Sequence, residues 1–368
     1  MVEAFSLQGG SLVAFSVKET VELEIQDVAF GGAGVARHGG KVFFVPFTAP
    51  GDRVRARVIR EKKKFAEAEL AELIEPSPHR VTPPCIYFGR CGGCAYQHIS
   101  YEQQLALKQA QVEQTLRRVG RLESVPMEPI VGSSRTYGFR NRIRVHVQGG
   151  QAGFFAHGSH ELIPIARCEI AQPAVNAALH DLRRSVARDG DYTLTSNQRG
   201  PFFEQTNDEV AAALVSLVES WLPARQQLLV DAYCGAGFFA HRLSERFEHV
   251  VGIEENEHAI AHARRHANAN ESYLAGDVAL LLGDVLSGHD SKGTTAILDP
   301  PATGLSPRVV DALLAMPPGL LIYVSCDPAT LARDLSALTK HFRLEAVRPL
   351  DMFPQTSEVE VAARLRLV

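Results

Sequence analysis

Two features that direct a protein into or across a membrane are missing from this sequence of 368 residues. It contains no uninterrupted stretch of about 18 apolar residues, which a membrane-spanning helix requires. The N-terminal segment MVEAFSLQGGSLVAFSV has no basic start followed by an apolar run, as a secretory signal would have. We therefore expect a cytoplasmic protein that is neither secreted nor inserted in a membrane.

Cysteine is also scarce, with six residues in the whole chain. Six are too few to hold so long a chain together by disulfides, and the cytoplasm keeps thiols reduced. A close group of cysteines in this setting predicts a metal or catalytic site rather than a disulfide framework.

The composition is ordinary for a water-soluble protein, with 45% hydrophobic and 22% charged residues. A chain of this length predicts two or three packed domains. The formal net charge of -4 does not exclude nucleic-acid binding, because such binding needs a local basic face rather than a basic total.

The N-terminal part has the pattern of a small β-barrel. Its segments VELEI (21–25), KVFFVPF (41–47) and FAEAELAEL (65–73) are rich in strand formers, and FGGAGVARHGG supplies turns. Residues 53–64, RVRARVIREKKK, carry seven basic residues against one acid, and their first three arginines alternate with Val54, Ala56 and Val58. The pattern predicts a basic strand face that contacts a nucleic-acid backbone. An edge strand whose charges prevent aggregation is an equal alternative.

Three cysteines follow within ten residues, in CIYFGRCGGC, as Cys85, Cys91 and Cys94. The obvious fourth thiolate is Cys168, in ARCEI. Soft thiolates select zinc or iron-sulfur clusters, and the uneven spacing favours a four-iron cluster over a zinc site. Zinc stays open, and unligated buried cysteines are a further alternative.

Basic and aromatic residues mix again after a helical segment at 100–120. The stretch SSRTYGFRNRIRVHV (133–147) interleaves two aromatic residues with four arginines, Arg135, Arg140, Arg142 and Arg144. Such a stretch can meet phosphates and stacked bases together. The alternative is a basic surface strand with Tyr137 and Phe139 in the core.

A repeated alternation of strand and helix begins at residue 228, with LLVDAYCGAGFFAHRLSE as its first unit. The repeat predicts a parallel α/β sheet whose ligand lies at the carboxyl ends of the strands. Chemically useful residues fall at five successive strand ends: Gly235, Glu254, Asp277, Asp299 and Cys326. An acid at the end of the second strand suits ribose hydroxyls. Cys234, inside the first turn, is interpreted as a packing residue.

These motifs together resemble one family. CIYFGRCGGCAYQH, FFEQTN (202–207), DAYCGAG, GIEEN, LDPPATG, YVSCDPATLARDL and MFPQTSEVE (352–360) are similar to motifs of the RNA uracil-5 methyltransferases that use S-adenosylmethionine. The likeness is to the branch with a TRAM barrel and a four-iron four-sulfur cluster, of the 23S ribosomal RNA type. It covers essentially the whole chain.

The resemblance implies a fold and a division of the chain. A TRAM-like β-barrel that binds RNA is expected at 1–78, and a central α+β domain with the iron-sulfur cluster and RNA recognition at 79–199. A Rossmann-like class I methyltransferase domain is expected at 200–368, with helix 100–120 packed on it. A monomer that acts on 23S rRNA is expected, with tRNA as the alternative substrate.

The resemblance also implies the site residues. The cluster would be held by Cys85, Cys91, Cys94 and Cys168. S-adenosylmethionine would be bound by Gln205, Tyr233, Glu254, Asp277 and Asp299. Cys326 would be the nucleophile and Glu360 the general base. Such enzymes need both, because uracil C5 is a weak nucleophile until a thiolate adds to C6, and a carboxylate must then remove the C5 proton. The target base must also leave its stack to reach them.

The chain departs from the family pattern at three positions. Ala302 replaces a common arginine after the two prolines, and Phe238 replaces a common asparagine in the cofactor turn. Glu358 stands where the family often has histidine, so Glu358 and Glu360 compete for the role of base, and the motif spacing favours Glu360.

Two other classes of protein fit parts of the sequence. A redox protein would explain the cysteine group but would not require the Cys326 and Glu360 pair. A noncatalytic RNA-binding or assembly factor would explain the basic strands but would not need a complete cofactor site.

Overall fold

The computed structural model describes residues 19–185, 187–196 and 205–368. Three β-sheets cover successive parts of these residues. None of the helices in the described ranges has the length and apolar character needed to cross a membrane. The predicted domain boundaries stay predictions, and the boundary at 199–200 lies outside the described residues.

The N-terminal sheet is formed, within the described residues, by β1 (Thr20–Glu24), β2 (Asp27–Val28), β3 (Ala33–His38), β4 (Lys41–Pro46), β5 (Arg53–Glu61) and β6 (Phe65–Glu75). The strand order is β1-β5-β6-β4-β3-β2. Alternate residues face inward, as the period of two requires. Val54, Ala56 and Val58 of β5 are fully buried in a core of their own sheet.

The arginines of β5 do not form the basic face that we expected. Each of Arg53, Arg55, Arg57 and Arg60 pairs with a glutamate of β1 or β6. The pairs with β6 lie directly across the strands, as Arg57 opposite Glu69 does, so the glutamates of β6 neutralise the arginines. The edge-strand interpretation is also wrong, because β5 lies between β1 and β6. Positive charge remains exposed at the β5–β6 turn, on Lys62, Lys63 and Lys64.

The central region contains α1 (Tyr101–Arg118), β7 (Arg142–Gln148), β8 (Gln151–Phe155), β9 (Leu162–Pro164), α2 (Pro173–Arg184) and β10 (Gly190–Thr195). Its antiparallel sheet has the order β10-β7-β8-β9. Only the second half of the 133–147 stretch is a strand. Phe139 is buried, so it packs in the core rather than stacking on bases. Arg135 and Arg144 pair with Glu209 and Asp191.

The C-terminal region contains α3 (Asp208–Trp221), β11 (Gln226–Ala232), α4 (Phe238–Leu243), β12 (Phe247–Glu254), α5 (Glu257–Arg265), β13 (Glu271–Ala275), α6 (Val278–Leu286), β14 (Thr294–Leu298), α7 (Pro307–Ala315), β15 (Leu320–Ser325), α8 (Pro328–Leu338), β16 (Phe342–Leu350) and β17 (Glu360–Leu367). The strand order is β13-β12-β11-β14-β15-β17-β16. β11 to β15 pair in parallel, whereas β17 is antiparallel to both of its neighbours.

Helices cover both faces of this sheet over two apolar cores. Val112 and Leu116 of α1 belong to one of these cores, so the helix packs on the C-terminal sheet although it precedes it by a hundred residues. The expected parallel α/β architecture is confirmed. The five parallel strands end at Ala232, Glu254, Ala275, Leu298 and Ser325, which brings the residues that follow them to one edge of the sheet.

Candidate active site and cysteine cavity

The turn after β11 is shaped by left-handed backbone. Tyr233 has φ of 66°, and Gly235 and Gly237 have φ of 54° and 87°. Glycine adopts this conformation without strain, whereas tyrosine does so at a cost. The turn is held by Glu254, whose Oε2 accepts a hydrogen bond from the Gly235 amide at 3.1 Å and whose Oε1 accepts one from the Asn256 amide at 2.8 Å. The two predicted strand ends are thereby joined through Glu254.

A cavity of about 610 Å³ opens beside this turn, and Tyr233, Asp277 and Pro301 are among the residues that line it. Burial raises the pKa of the Tyr233 hydroxyl to about 12, so it stays protonated and can donate a hydrogen bond. Asp277 caps α6 by accepting a bond from the Ala279 amide at 2.8 Å. An aromatic ring and a carboxylate at a switch in strand order suit a nucleoside.

Two further carboxylates lie at the neighbouring strand ends. Burial raises the pKa of Asp231 and that of Asp299 to about 7. Gln205 donates to Asp299 Oδ2 at 3.2 Å, whereas residues 202–204 of the same motif lie outside the described ranges. Sequence reasoning missed Asp231, although an acid inside the apolar strand LLVDA was a usable signal. Such carboxylates favour a cationic ligand, because a nearby positive charge stabilises their ionised form.

Cys326 and Glu360 meet where β15 and β17 pair. Ser325 and Val361 form the last pair between these two strands, and Cys326 and Glu360 are the residues just beyond that pair. The charge of Glu360 contributes to the raised pKa of Cys326, so the two side chains lie close together. Glu360 is 3% exposed, and Cys326 is half-buried. The structure therefore brings a thiol and a carboxyl group together at the edge that bears the cavity.

The surroundings raise the pKa of both groups. Burial, followed by the charges of Glu360 and Asp299, raises the pKa of the Cys326 thiol to about 12. Burial, followed by the charges of Asp299 and Glu358, raises the pKa of Glu360 well above its ordinary value. A cation bound at this edge would lower both pKa values.

The two competing glutamates lie in different surroundings. Glu358 is exposed and borders a second cavity, which also contains the cysteine group. Glu360 is buried next to Cys326. A general base must reach its proton and have a pKa near the working pH, and burial adjusts the pKa of Glu360 in that direction.

The family departures at Ala302 and Phe238 have simple local consequences. Ala302 is exposed, and its carbonyl accepts a hydrogen bond from Thr330 Oγ1 of α8 at 3.1 Å. The centroid of the Phe238 ring lies 4.5 Å from the guanidinium carbon of Arg242. Neither contact involves Cys326 or Glu360.

The second cavity has a volume of about 350 Å³, and all four predicted ligands, Cys85, Cys91, Cys94 and Cys168, border it. Backbone amides hold two of these residues. The Gly93 amide donates to Cys91 Sγ at 3.4 Å, and the Ala171 amide donates to the Cys168 carbonyl at 3.1 Å.

The arrangement of these four cysteines decides which kind of metal group they could hold. Within the described residues, no three His, Cys, Asp or Glu side chains come close enough to hold a single metal ion. A tetrahedral zinc would bring its thiolates within about 4 Å of one another, whereas each thiolate of a four-iron cluster binds its own iron. Burial raises the pKa of Cys94 to about 12 and that of Cys168 to about 11, so thiolates here need a cationic partner. The four thiols share one cavity, and the expected cluster stays a prediction.

Three family models match the chain. The TRAM domain of tRNA (uracil(54)-C(5))-methyltransferase matches residues 21–79, and tRNA (uracil-5-)-methyltransferase matches residues 285–367. The model of the methyltransferase small domain matches residues 192–316.

Relatives match over nearly the whole chain. An uncharacterized RNA methyltransferase of Bdellovibrio bacteriovorus is 33% identical, over 94% of this chain and 95% of the relative. One of Nostoc sp. is 31% identical, over 95% of this chain and 96% of the relative. Among solved structures, the Pyrococcus abyssi tRNA (uracil-54, C5)-methyltransferase in complex with S-adenosyl-L-homocysteine is similar, with a TM-score of 0.70 and 26% identity. The match covers 94% of this chain and 100% of that chain.

Proposed function

The chain belongs to the RNA methyltransferases of the uracil-5 type that use S-adenosylmethionine, and we propose that it methylates uridine C5 through a covalent bond between Cys326 and C6. The observation that carries this proposal is that the pairing of β15 with β17 ends beside both Cys326 and Glu360, and that the charge of Glu360 acts on the Cys326 thiol. Both lie at the edge of the sheet that bears the nucleoside-sized cavity.

We assign the cofactor to the turn and cavity at the strand ends. Tyr233 and Asp277 border the cavity, and Glu254 has the position that suits ribose hydroxyls. Asp299, joined to Gln205, lies near Cys326 and suits the cationic end of S-adenosylmethionine. The positive charge there would lower the pKa of Cys326, because negative neighbours are part of what raises it.

Cys326 begins the reaction as a thiolate. Its sulfur forms a bond to C6 of the uracil, and the electron pair of the C5–C6 double bond moves onto C5 and the adjacent carbonyl. C5 then forms a bond to the methyl carbon of S-adenosylmethionine, and the bond between that methyl carbon and the sulfonium sulfur breaks. Glu360 removes the C5 proton, the bond from Cys326 to C6 breaks, and the double bond returns.

The RNA target has two candidates. The sequence motifs resemble the 23S ribosomal RNA type, whereas the matching family models and the similar Pyrococcus abyssi enzyme are named for tRNA. Mapping 5-methyluridine in total RNA from cells with and without this protein would separate them. We expect one position to lose 5-methyluridine, and unchanged 5-methyluridine at every position would contradict the function. Both candidate RNAs fit our expectation of a cytoplasmic monomer.

We further propose that Cys85, Cys91, Cys94 and Cys168 hold a four-iron four-sulfur cluster. The group would supply a compact cationic centre that ties the 85–94 loop to Cys168, and no step of methyl transfer moves net electrons through it. The protein isolated without oxygen should contain about four irons per chain. One tightly bound zinc and no iron would overturn this assignment.

A further inference from the structure

The loop between β16 and β17, residues 351–359, leads directly into Glu360 and is held by a buried ion pair. Lys108 Nζ of α1 donates to Asp351 Oδ1 at 2.5 Å, and both side chains are completely buried. The same ammonium donates to the Phe353 carbonyl at 2.9 Å. One side chain of α1 therefore fixes the first three residues of the loop.

Gln104, one turn earlier on α1, fixes the middle of the loop. Its Oε1 accepts from the Gln355 amide at 3.1 Å, and its Nε2 donates to Gln355 Oε1 at 3.0 Å. The Gln355 carbonyl accepts from the amides of Ala95 and Tyr96 at 3.0 and 2.9 Å. Gln355 is therefore bonded at its amide, its carbonyl and its side chain.

Gln355 has a backbone conformation that a glutamine adopts only under constraint, with φ of 70°. Residues in this region cost about 1 to 3 kcal/mol and persist where the surroundings determine them. The bonds to Gln104, Ala95 and Tyr96 are those surroundings. Without them the turn would relax, and the five-residue path from Gln355 to Glu360 would start in a different direction.

The ion pair is not needed to fill space. Replacing a buried ion pair by apolar residues of similar volume is often neutral or stabilising, so such a pair is weak evidence for a role in stability. Unlike an apolar residue, Lys108 donates to the Phe353 carbonyl and to the Asp351 carboxylate at the same time. These two bonds orient the start of the loop.

From these contacts we propose that Gln104 and Lys108 are positioning residues for Glu360, and that they act on proton removal rather than on the attack by Cys326. The inference rests on the proposed function. Cys326 lies between β15, which pairs with both β14 and β17, and α8, whose Leu331 and Leu335 pack in the apolar core, so its position does not depend on this loop alone. A misplacement of about 1 Å can slow a step by on the order of 100-fold, so loss of either contact should slow the final step selectively.

The test measures the two events separately in one turnover. Total RNA from cells that lack this protein and were fed [5-³H]uridine is incubated with S-adenosylmethionine carrying a ¹⁴C methyl group. Wild-type protein should release one tritium for each methyl transferred. Gln104→Met and Lys108→Met should transfer methyl while tritium release lags by on the order of 10- to 100-fold, and a covalent complex with RNA should accumulate.

The ratio of tritium to methyl does not depend on how much of a variant is folded. Gln114→Met, at an exposed position of α1, is the matched control and should keep the wild-type ratio. If Lys108→Met does not fold, the double variant Lys108→Met/Asp351→Leu carries the same test with an apolar pair. A ratio of one in the Gln104 and Lys108 variants, however slow they are, would overturn the positioning role. Absence of methyl transfer by wild-type protein would instead contradict the proposed function.

Discussion

Replacing Glu360 by glutamine separates the two halves of the proposed reaction. The substitution keeps the volume of a side chain that is 3% exposed, and it removes the carboxylate that would take the C5 proton. A general base contributes about 10² to 10⁴ in rate, which corresponds to about 3 to 5 kcal/mol of activation free energy. We expect turnover to fall by that factor.

The first half of the reaction should survive this substitution. After burial, the charge of Glu360 is the largest cause of the raised pKa of Cys326, so glutamine should make the thiolate easier to form. The covalent complex should therefore form at least as fast as in the wild type and then persist. Denaturing gel electrophoresis with labelled RNA measures it directly, and about one RNA per protein should be trapped, already methylated at C5.

Two variants make this prediction decisive. Cys326→Ala should trap no RNA, because no thiolate can add to C6. Glu358→Gln should turn over normally, because Glu358 is exposed and borders the cysteine cavity. The reasoning would be refuted if Glu358→Gln trapped the complex while Glu360→Gln turned over freely.

Three more predictions follow from the charges in the structure. The rate of covalent complex formation should rise with pH, because Cys326 reacts as a thiolate and its pKa is raised to about 12. In Glu360→Gln this rise should occur at lower pH. An unchanged pH profile would contradict an effect of the Glu360 charge on the Cys326 thiol. The folded pKa of Asp231 is about 7 against an ordinary 3.8, so its contribution to stability is complete below pH 3.8 and is lost as the pH rises through 7. Asp231→Asn should therefore flatten the fall in urea stability over this range, by on the order of 4 kcal/mol, and parallel curves for the two proteins would argue against it. Changing Lys62, Lys63 and Lys64 to serine should lower the slope of log affinity for RNA against log salt by about 2. Arg57→Gln should change the slope by less than about 0.7, because Arg57 is paired with Glu69. Equal effects of the two changes would show that the ion pair of Arg57 with Glu69 does not hold in the RNA complex.

The C-terminal architecture could be predicted from the sequence because each strand and the turn after it are marked by residues that are neighbours in the chain. Each parallel strand is a short apolar run followed by a turn, and the carboxyl ends of parallel strands must share one edge. Asp277 and Asp299 could be placed at that edge without a structure. The strand pairing that brings Cys326 near Glu360 is not local, since it joins Ser325 to Val361 through an antiparallel insertion.

The errors arose where function was inferred from one segment without its neighbours. The arginines of β5 look basic alone, but β6 places a glutamate beside each of them, and only the register shows this. The polar contacts of α1 were missed for a related reason. Gln104 and Lys108 are ordinary in a helical sequence, and their partners at Asp351 and Gln355 lie some 250 residues later.

One measurement tests the central claim most directly. Purified protein is incubated with S-adenosylmethionine carrying a labelled methyl group and total RNA from cells that lack this protein, and the RNA is digested to nucleosides. Wild-type protein should place the label in 5-methyluridine, and Cys326→Ala should place none. Label in any other nucleoside, or 5-methyluridine formed equally by Cys326→Ala, would contradict C5 methylation through Cys326.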